Sequence, residues 1–221
     1  MFDVVIVGGG MVGASLALAL KPLNLKVALI EAVAFGSSTQ PAYDDRSVAL
    51  SYGSSRIYQG MGIWDKLAPQ VAAIQQIHVS DRGHFGATRL SAEQEAVPAL
   101  GYVVESRILG KLLFETLADS AIEIISPATV YALEQFADYV EVKIERQGIV
   151  DSLRTRLLVI ADGAKSPLRE QLGIETKQRD YQQTAIIANV STDQPVAGVA
   201  YERFTNSGPL ALLPMTQERY S

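Results

Sequence analysis

Residues 1–31, MFDVVIVGGGMVGASLALALKPLNLKVALIE, decide how this chain is read. Val4 to Val7 form a short, β-branched, apolar run, as a parallel strand does when both its faces are buried. Gly8, Gly9 and Gly10 interrupt it. From Met11 to Leu20 the residues are apolar or small and suit a helix, and Pro22 marks that helix's end. A second buried run, Lys26 to Ile30, delivers Glu31 at its tip.

Gly8, Gly10 and Gly13 are spaced as Gly-x-Gly-x-x-Gly, and each glycine has a separate task. The first permits the tight turn, the second lets the backbone approach a pyrophosphate, and the third lets helix and sheet pack closely. The pyrophosphate is expected at the helix N-terminus, where unpaired N–H groups and the helix dipole favour an anion. Glu31, eighteen positions after Gly13, is placed to accept hydrogen bonds from ribose hydroxyls. Its charge repels a 2′-phosphate, so the adenosine of FAD or NAD fits here and that of NADP does not.

The 221 residues are 48% hydrophobic, enough for one good core or two modest ones. Lys and Arg total 19 against 24 Asp and Glu, a formal charge of −5 without a basic run, which argues against a nucleic-acid partner. The absence of cysteine excludes a disulfide, a thiolate metal site and the Cys-x-x-Cys pair of the disulfide-reductase flavoproteins. Nothing resembles a signal peptide, and no run approaches eighteen apolar residues. A cytoplasmic protein is expected, with peripheral contact at the inner membrane left open.

Further along, Gly36 to Pro41 is loop by composition, and from Ser47 to Leu67 apolar residues recur at roughly helical spacing. Arg46, between the two, has a guanidinium suited to phosphate oxygens or a flavin edge, or else to pairing with Asp44 or Asp45. Residues 74–105 read as short strands, with Ile77 and Val79 alternating against His78 and Ser80. His78 and His84 are the only histidines and lack the further ligands a metal needs. Ser106 to Ala118 reads as an amphipathic helix in which Arg107 lies at the unfavourable, positive end, a hint of an anionic partner. Residues 122–160 read as a meander, turning at Gln147-Gly148. Within it Tyr139 and Lys143 have a dehydrogenase-like spacing, but in a strand they stand roughly 13 Å apart rather than the roughly 6 Å of one helical turn.

The buried run Leu157 to Ile160 ends at Asp162-Gly163, with Ser166 and Pro167 opening another helix. An acid at the carboxyl end of a parallel strand lies where open α/β sheets hold ligands. From Thr184 three strands are expected, in TAIIANVST, GVAYERFT and PLALLPM. The chain stops just after the turn-like Thr216-Gln217-Glu218, which suggests an edge without its partner and a piece of a longer protein.

The set GGGMVG, Glu31, DDRSVAL (44–50), Arg107 and ADGAKSPLR (161–169) resembles the single-component FAD-dependent aromatic hydroxylases, the p-hydroxybenzoate hydroxylase-like family. HVSDRGHFG (78–86), AIIANVST (185–192) and YERFTNSGPLALLPM (201–215) resemble its ubiquinone-pathway branch. The resemblance implies an α/β, Rossmann-like FAD-binding domain of the glutathione reductase type with an inserted β-rich substrate domain, truncated at the C-terminus. The first takes residues 1–70 and 106–180, the second 71–105 and 181–221. Gly8, Gly10, Gly13 and Glu31 match the ADP-binding fingerprint. Arg46 matches an arginine near pyrophosphate and flavin, and Arg107 a helix residue on FAD. Val130 matches a backbone contact to adenine, and Asp162 and Gly163 a motif serving FAD and NAD(P)H use. The implied reaction uses NAD(P)H and O₂ and passes OH from a flavin C4a-hydroperoxide to an electron-rich, prenylated phenol. No general base is assigned.

The family's later Gly-Asp motif, which holds the ribityl and ring of the flavin, is absent from these residues. The 221 residues alone are therefore expected to bind FAD weakly and not to turn over. Two other readings remain: a hydroxylase of a small soluble aromatic acid, and a non-catalytic dinucleotide-binding module within a complex.

Overall fold

The computed structural model describes residues 1–34, 37 and 46–221. Expectations for Gly36 to Pro41, and the pairing of Arg46 with Asp44 or Asp45, lie outside them. In chain order the strands are β1 (Phe2–Val7), β2 (Val27–Ile30), β3 (Ser47–Ser51), β4 (Ala72–Ile74), β5 (Gln76–Asp81), β6 (Ala87–Ser91), β7 (Gly101–Glu105), β8 (Glu123–Ile125), β9 (Thr129–Gln135), β10 (Val140–Arg146), β11 (Ile149–Ile160), β12 (Val190–Ser191), β13 (Val199–Thr205), β14 (Gly208–Leu212), β15 (Pro214–Met215) and β16 (Arg219–Tyr220). The α-helices are α1 (Met11–Leu20), α2 (Tyr52–Gly60), α3 (Trp64–Leu67), α4 (Ser106–Ala118) and α5 (Pro167–Gln171).

Contacts divide the chain into two compact units, Met1–Tyr43 with Gly110–Gln183 and Asp44–Leu109 with Thr184–Ser221. The first is α/β and Rossmann-like. Its six-stranded sheet has the order β8-β2-β1-β11-β10-β9, parallel from β8 to β11 and antiparallel from β11 to β9. β1 lies inside this sheet, and Val5 and Ile6 are fully buried, as the apolar run requires. α1 buries Gly13, Ala14, Ala17 and Leu18, the small side of an otherwise apolar helix. The β10–β11 hairpin closes through Gln147 and Gly148, both at positive φ (51° and 82°), the backbone of a tight turn matched to sheet twist. Phe2, Val5, Ile30, Val130, Val142, Ile144 and Leu168 share one core cluster.

The second unit holds three small sheets: β3-β7-β4, β14-β13-β5-β6 and β12-β16-β15. Its core gathers Ile74, Val103, Ala200 and Met215, and Trp64 meets Tyr102 edge-on with centroids 4.7 Å apart. Residues 47–70, grouped by sequence with the nucleotide half, enter this unit because β3 takes β7 as its ladder partner.

Five local expectations are corrected. Ser47–Ser51 is strand rather than helix, since β7 offers it a five-residue antiparallel ladder. The helix starts only at Tyr52, where the Ser51 hydroxyl caps the Ser54 N–H at 3.1 Å. In TAIIANVST only Val190–Ser191 pairs; among the described residues no strand faces Thr184–Asn189, and Ile186 is 94% exposed. The Leu157–Ile160 run is only partly covered, with Leu157 exposed, and Ile77 to Ser80 are all half-buried rather than alternating. The turn at Thr216–Glu218 closes a hairpin, because β16 pairs with both β15 and β12.

Candidate functional site

In the first unit Val7 is in register with Ile30 on one side and Ile160 on the other, so β1, β2 and β11 end level. The glycine turn leaves β1, Glu31 leaves β2, and Ala161-Asp162 leaves β11. With neighbouring strands about 4.8 Å apart, the two acids flank the turn across roughly 10 Å. The Gly8 N–H donates to Ile30 O at 2.8 Å, and the Ala161 N–H to Val7 O at 2.7 Å.

The three glycines of the motif differ in what requires them. Gly8 stands at φ +102°, where a side chain would strike the Ala161 carbonyl and come within 2.8 Å of the Asp162 nitrogen. At Gly13 a Cβ would overlap the Gly8 carbonyl, so helix and turn touch backbone to backbone. Gly10, the N-cap of α1, has ordinary extended angles (φ −65°, ψ −177°), and among the described residues a Cβ there would meet no atom within 4 Å. Packing among the described residues does not require glycine at that place. The first turn of α1 has no acidic residue and no side-chain cap, and the first helical bond is Ala14 N–H to Gly10 O at 2.9 Å. Its leading N–H groups lack intrahelical acceptors and carry the positive end of the dipole.

Glu31 is 9% exposed. Its Oε2 accepts the Gly9 N–H at 2.5 Å and its Oε1 the Val33 N–H at 2.8 Å, tying the carboxylate to the turn. A carboxylate has about four acceptor positions, so two remain for hydroxyl donors. The Glu31 carbonyl accepts the Ala128 N–H at 2.8 Å, bringing the start of β9, and so Val130, past the tip of β2. The Val130 side chain itself is buried in the core. Asp162 is half-buried, and its carboxylate takes no hydrogen bond or ion pair among the described residues. Gly163 follows at φ +95°, and α5 begins with Ser166 capping the Arg169 N–H at 3.0 Å.

The second unit brings Arg46 and Arg107 together through the β3–β7 ladder. Ser47 is in register with Glu105, and the Ser106 N–H donates to Arg46 O at 2.8 Å. The charge at the α4 end is matched within the chain: Arg107 Nη2 lies 2.7 Å from Glu105 Oε2. Arg219 Nη2 donates to Glu105 Oε1 at 2.5 Å. Burial raises the Glu105 carboxyl pKa, but the hydrogen bond from Arg219 and the charges of Arg107 and Arg219 outweigh it and hold it below its ordinary value. The sequence reading missed Glu105, although an acid closing the apolar strand GYVVE repeats the signature of Glu31 closing VALI. For Arg219, 114 residues away, no local signal exists. Tyr139 stacks on Phe136 with centroids 4.5 Å apart and Lys143 pairs with Glu134 at 3.6 Å, so these two form no dyad. His84 pairs with Asp81 at 2.8 Å.

Residues 1–221 match a family model described as an FAD binding domain. The ubiquinone hydroxylase UbiL of Rhodospirillum rubrum is 34% identical across 99% of this chain and 50% of its own length. The 3-demethoxyubiquinol 3-hydroxylase of Escherichia coli is 30% identical across 96% of this chain and 54% of its own. The chain thus spans about half the length of the curated relatives it matches. A crystal structure of pqsL, a probable FAD-dependent monooxygenase from Pseudomonas aeruginosa, superposes with a TM-score of 0.80 at 20% identity, covering 99% of this chain and 58% of that one.

Proposed function

We propose, from the premise that this chain belongs to the FAD binding domain family, that it holds the ADP portion of FAD in a ubiquinone-pathway hydroxylase. The observation that carries the reading is the level ending of β2, β1 and β11, with Glu31 and Asp162 on either side of a glycine turn left open at Gly10. That donor set fits FAD. The first-turn N–H groups of α1 and Gly10 hold the pyrophosphate, and Glu31 accepts the ribose hydroxyls on its remaining lone pairs. The backbone near Val130 borders the adenine, and Asp162-Gly163 receives the part of the cofactor beyond the pyrophosphate. In the second unit, Arg46 and Arg107 are the residues that the family resemblance assigns to FAD.

Bound FAD supplies the redox chemistry, by which NAD(P)H and O₂ hydroxylate an electron-rich phenol. The substrate is a polyprenylated phenol of the 2-octaprenyl-6-methoxyphenol type. This assignment is supported by relatives named as ubiquinone hydroxylases. The β14-β13-β5-β6 sheet presents Tyr201 and Leu210, 41% and 58% exposed, on the side opposite the buried Ala200, with Leu212 paired to Tyr201. The same face also carries Arg203, His78, Ser80 and Arg89 by register, so it is amphipathic, and the apolar contribution to one wall for a greasy ring and tail comes from Tyr201 with Leu210 and Leu212. No helix among the described residues is long and apolar enough to cross a membrane. Peripheral contact at the inner membrane and a place in a biosynthetic complex are compatible with a prenylated substrate.

The test is stopped-flow reduction by NAD(P)H of the FAD-loaded full-length protein, with two ligand series, because the 221 residues alone are expected to bind FAD weakly and not to turn over. Acceleration by prenyl-tailed phenols supports the reading. Acceleration by small aromatic acids alone would assign the chain to a soluble-substrate hydroxylase, and failure to retain FAD would leave only a dinucleotide-binding module.

A further inference from the structure

Glu105 is the one buried carboxylate among the described residues that faces two arginines, and the functional reading gives it no task. Its side chain is 4% exposed, against 51% for Arg107 and 23% for Arg219. Each carboxylate oxygen serves one guanidinium, Oε2 to Arg107 at 2.7 Å and Oε1 to Arg219 at 2.5 Å. Arg107 stands in the first turn of α4 and Arg219 in β16, so two elements distant in sequence are joined through one acid. The strand under this acid is firm: Glu105 ends β7, is in register with Ser47, and follows the buried Val103 and Val104. A flexible arginine carries several rotamers, and a charge-assisted bond to a buried, immobile acceptor removes that freedom before any ligand arrives.

We propose that Glu105 is a positioning residue: it fixes the orientation of the Arg107 guanidinium, the group that the functional reading assigns to FAD, and it couples that orientation to Arg219 on the β15–β16 hairpin. The proposal rests on the reading that Arg107 contacts FAD. A neutral amide of the same size cannot replace it, because an amide offers one acceptor oxygen and turns an NH₂ donor toward a guanidinium. Shortening the acid to aspartate keeps the charge but withdraws it from at least one arginine.

The experiment is a double-mutant cycle on the FAD-binding protein, made of Glu105→Gln, Arg107→Gln and the pair, with Glu105→Asp as the gentler replacement should the glutamine variant unfold. FAD dissociation constants are read by flavin fluorescence, the shape of the bound flavin's visible band is recorded, and thermal unfolding monitors the fold. The expected result is that Glu105→Gln weakens FAD about tenfold in the native background and under about twofold when Arg107 is already glutamine. Glu105→Asp falls between native and glutamine. Arg219→Gln shifts the bound-flavin band through Glu105, and this shift disappears in the Glu105→Gln background. Equal losses in both backgrounds overturn the proposal while leaving the FAD assignment of Arg107 intact. An Arg107→Gln variant that binds FAD like the native protein overturns both.

Discussion

Gly10 and Gly13 separate what the ligand needs from what the fold needs, and replacing each by alanine gives opposite outcomes. At Gly13 the new methyl overlaps the Gly8 carbonyl and lies 3.3 Å from Ile6 Cγ2, so α1 must move off β1. Backbone cannot rotate away as a side chain does, which places the cost at about 3 kcal/mol or more, the upper end for overpacking. At Gly10 the methyl meets no atom of the described residues within 4 Å, and the angles suit alanine. Only the poorer N-cap counts, about 0.5–1 kcal/mol, a melting shift of roughly 1–4 °C for a chain of this size. If the pyrophosphate seats on this helix end, however, the same methyl displaces a phosphate oxygen from a backbone N–H. One charge-assisted bond is worth about 1.5–3 kcal/mol, which is a 10- to 150-fold fall in FAD affinity, roughly. Differential scanning fluorimetry gives the first quantity and flavin fluorescence titration the second. A Gly10→Ala protein that binds FAD within about twofold of native, or that melts with Gly13→Ala, refutes the reasoning.

Glu31→Gln leaves one backbone N–H facing an amide donor, so it costs about 1–3 kcal/mol of stability by urea unfolding and also weakens FAD. The folded Glu105 carboxyl titrates below its ordinary 4.5. Its contribution to stability is therefore full above that value and is lost as pH falls through the lower, folded value. Glu105→Gln removes about 3 kcal/mol near neutrality and flattens the acid limb of the unfolding free energy against pH; an unchanged limb contradicts the ion-pair account. Ser166→Ala uncaps α5 beside Asp162-Gly163 and lowers stability by about 1 kcal/mol in chemical denaturation, while Ser166→Asp restores it.

The nucleotide half was legible because its signals are local. A β-branched run, three glycines, a helix-compatible stretch and a terminal acid lie within 31 residues, and each agrees with the next. Gly8 and Gly13 answer to contacts a few residues away or at the next strand tip, where glycine is the only side chain that fits. What failed depends on partners elsewhere in the chain. Ser47–Ser51 has helical spacing, yet β7, more than fifty residues on, draws it into a sheet. Thr184–Asn189 has strand character, yet among the described residues no ladder receives it. Arg107 at a helix N-terminus was visible as a local conflict, but its resolution lies partly in Glu105, two residues before it, and through Glu105 in Arg219. Alternation and spacing report which face an element can bury; they carry no record of which distant residue supplies the opposite charge.

The claim that this chain carries the ADP-holding half of a flavin site is tested most directly by competition. FAD bound to the protein is titrated with ADP, with 2′-phosphorylated ADP and with riboflavin, and the released flavin fluorescence is followed. The account predicts displacement by ADP, little by riboflavin, and rejection of the 2′-phosphate by the Glu31 carboxylate, a rejection that Glu31→Ala removes. Displacement by riboflavin with indifference to ADP contradicts it.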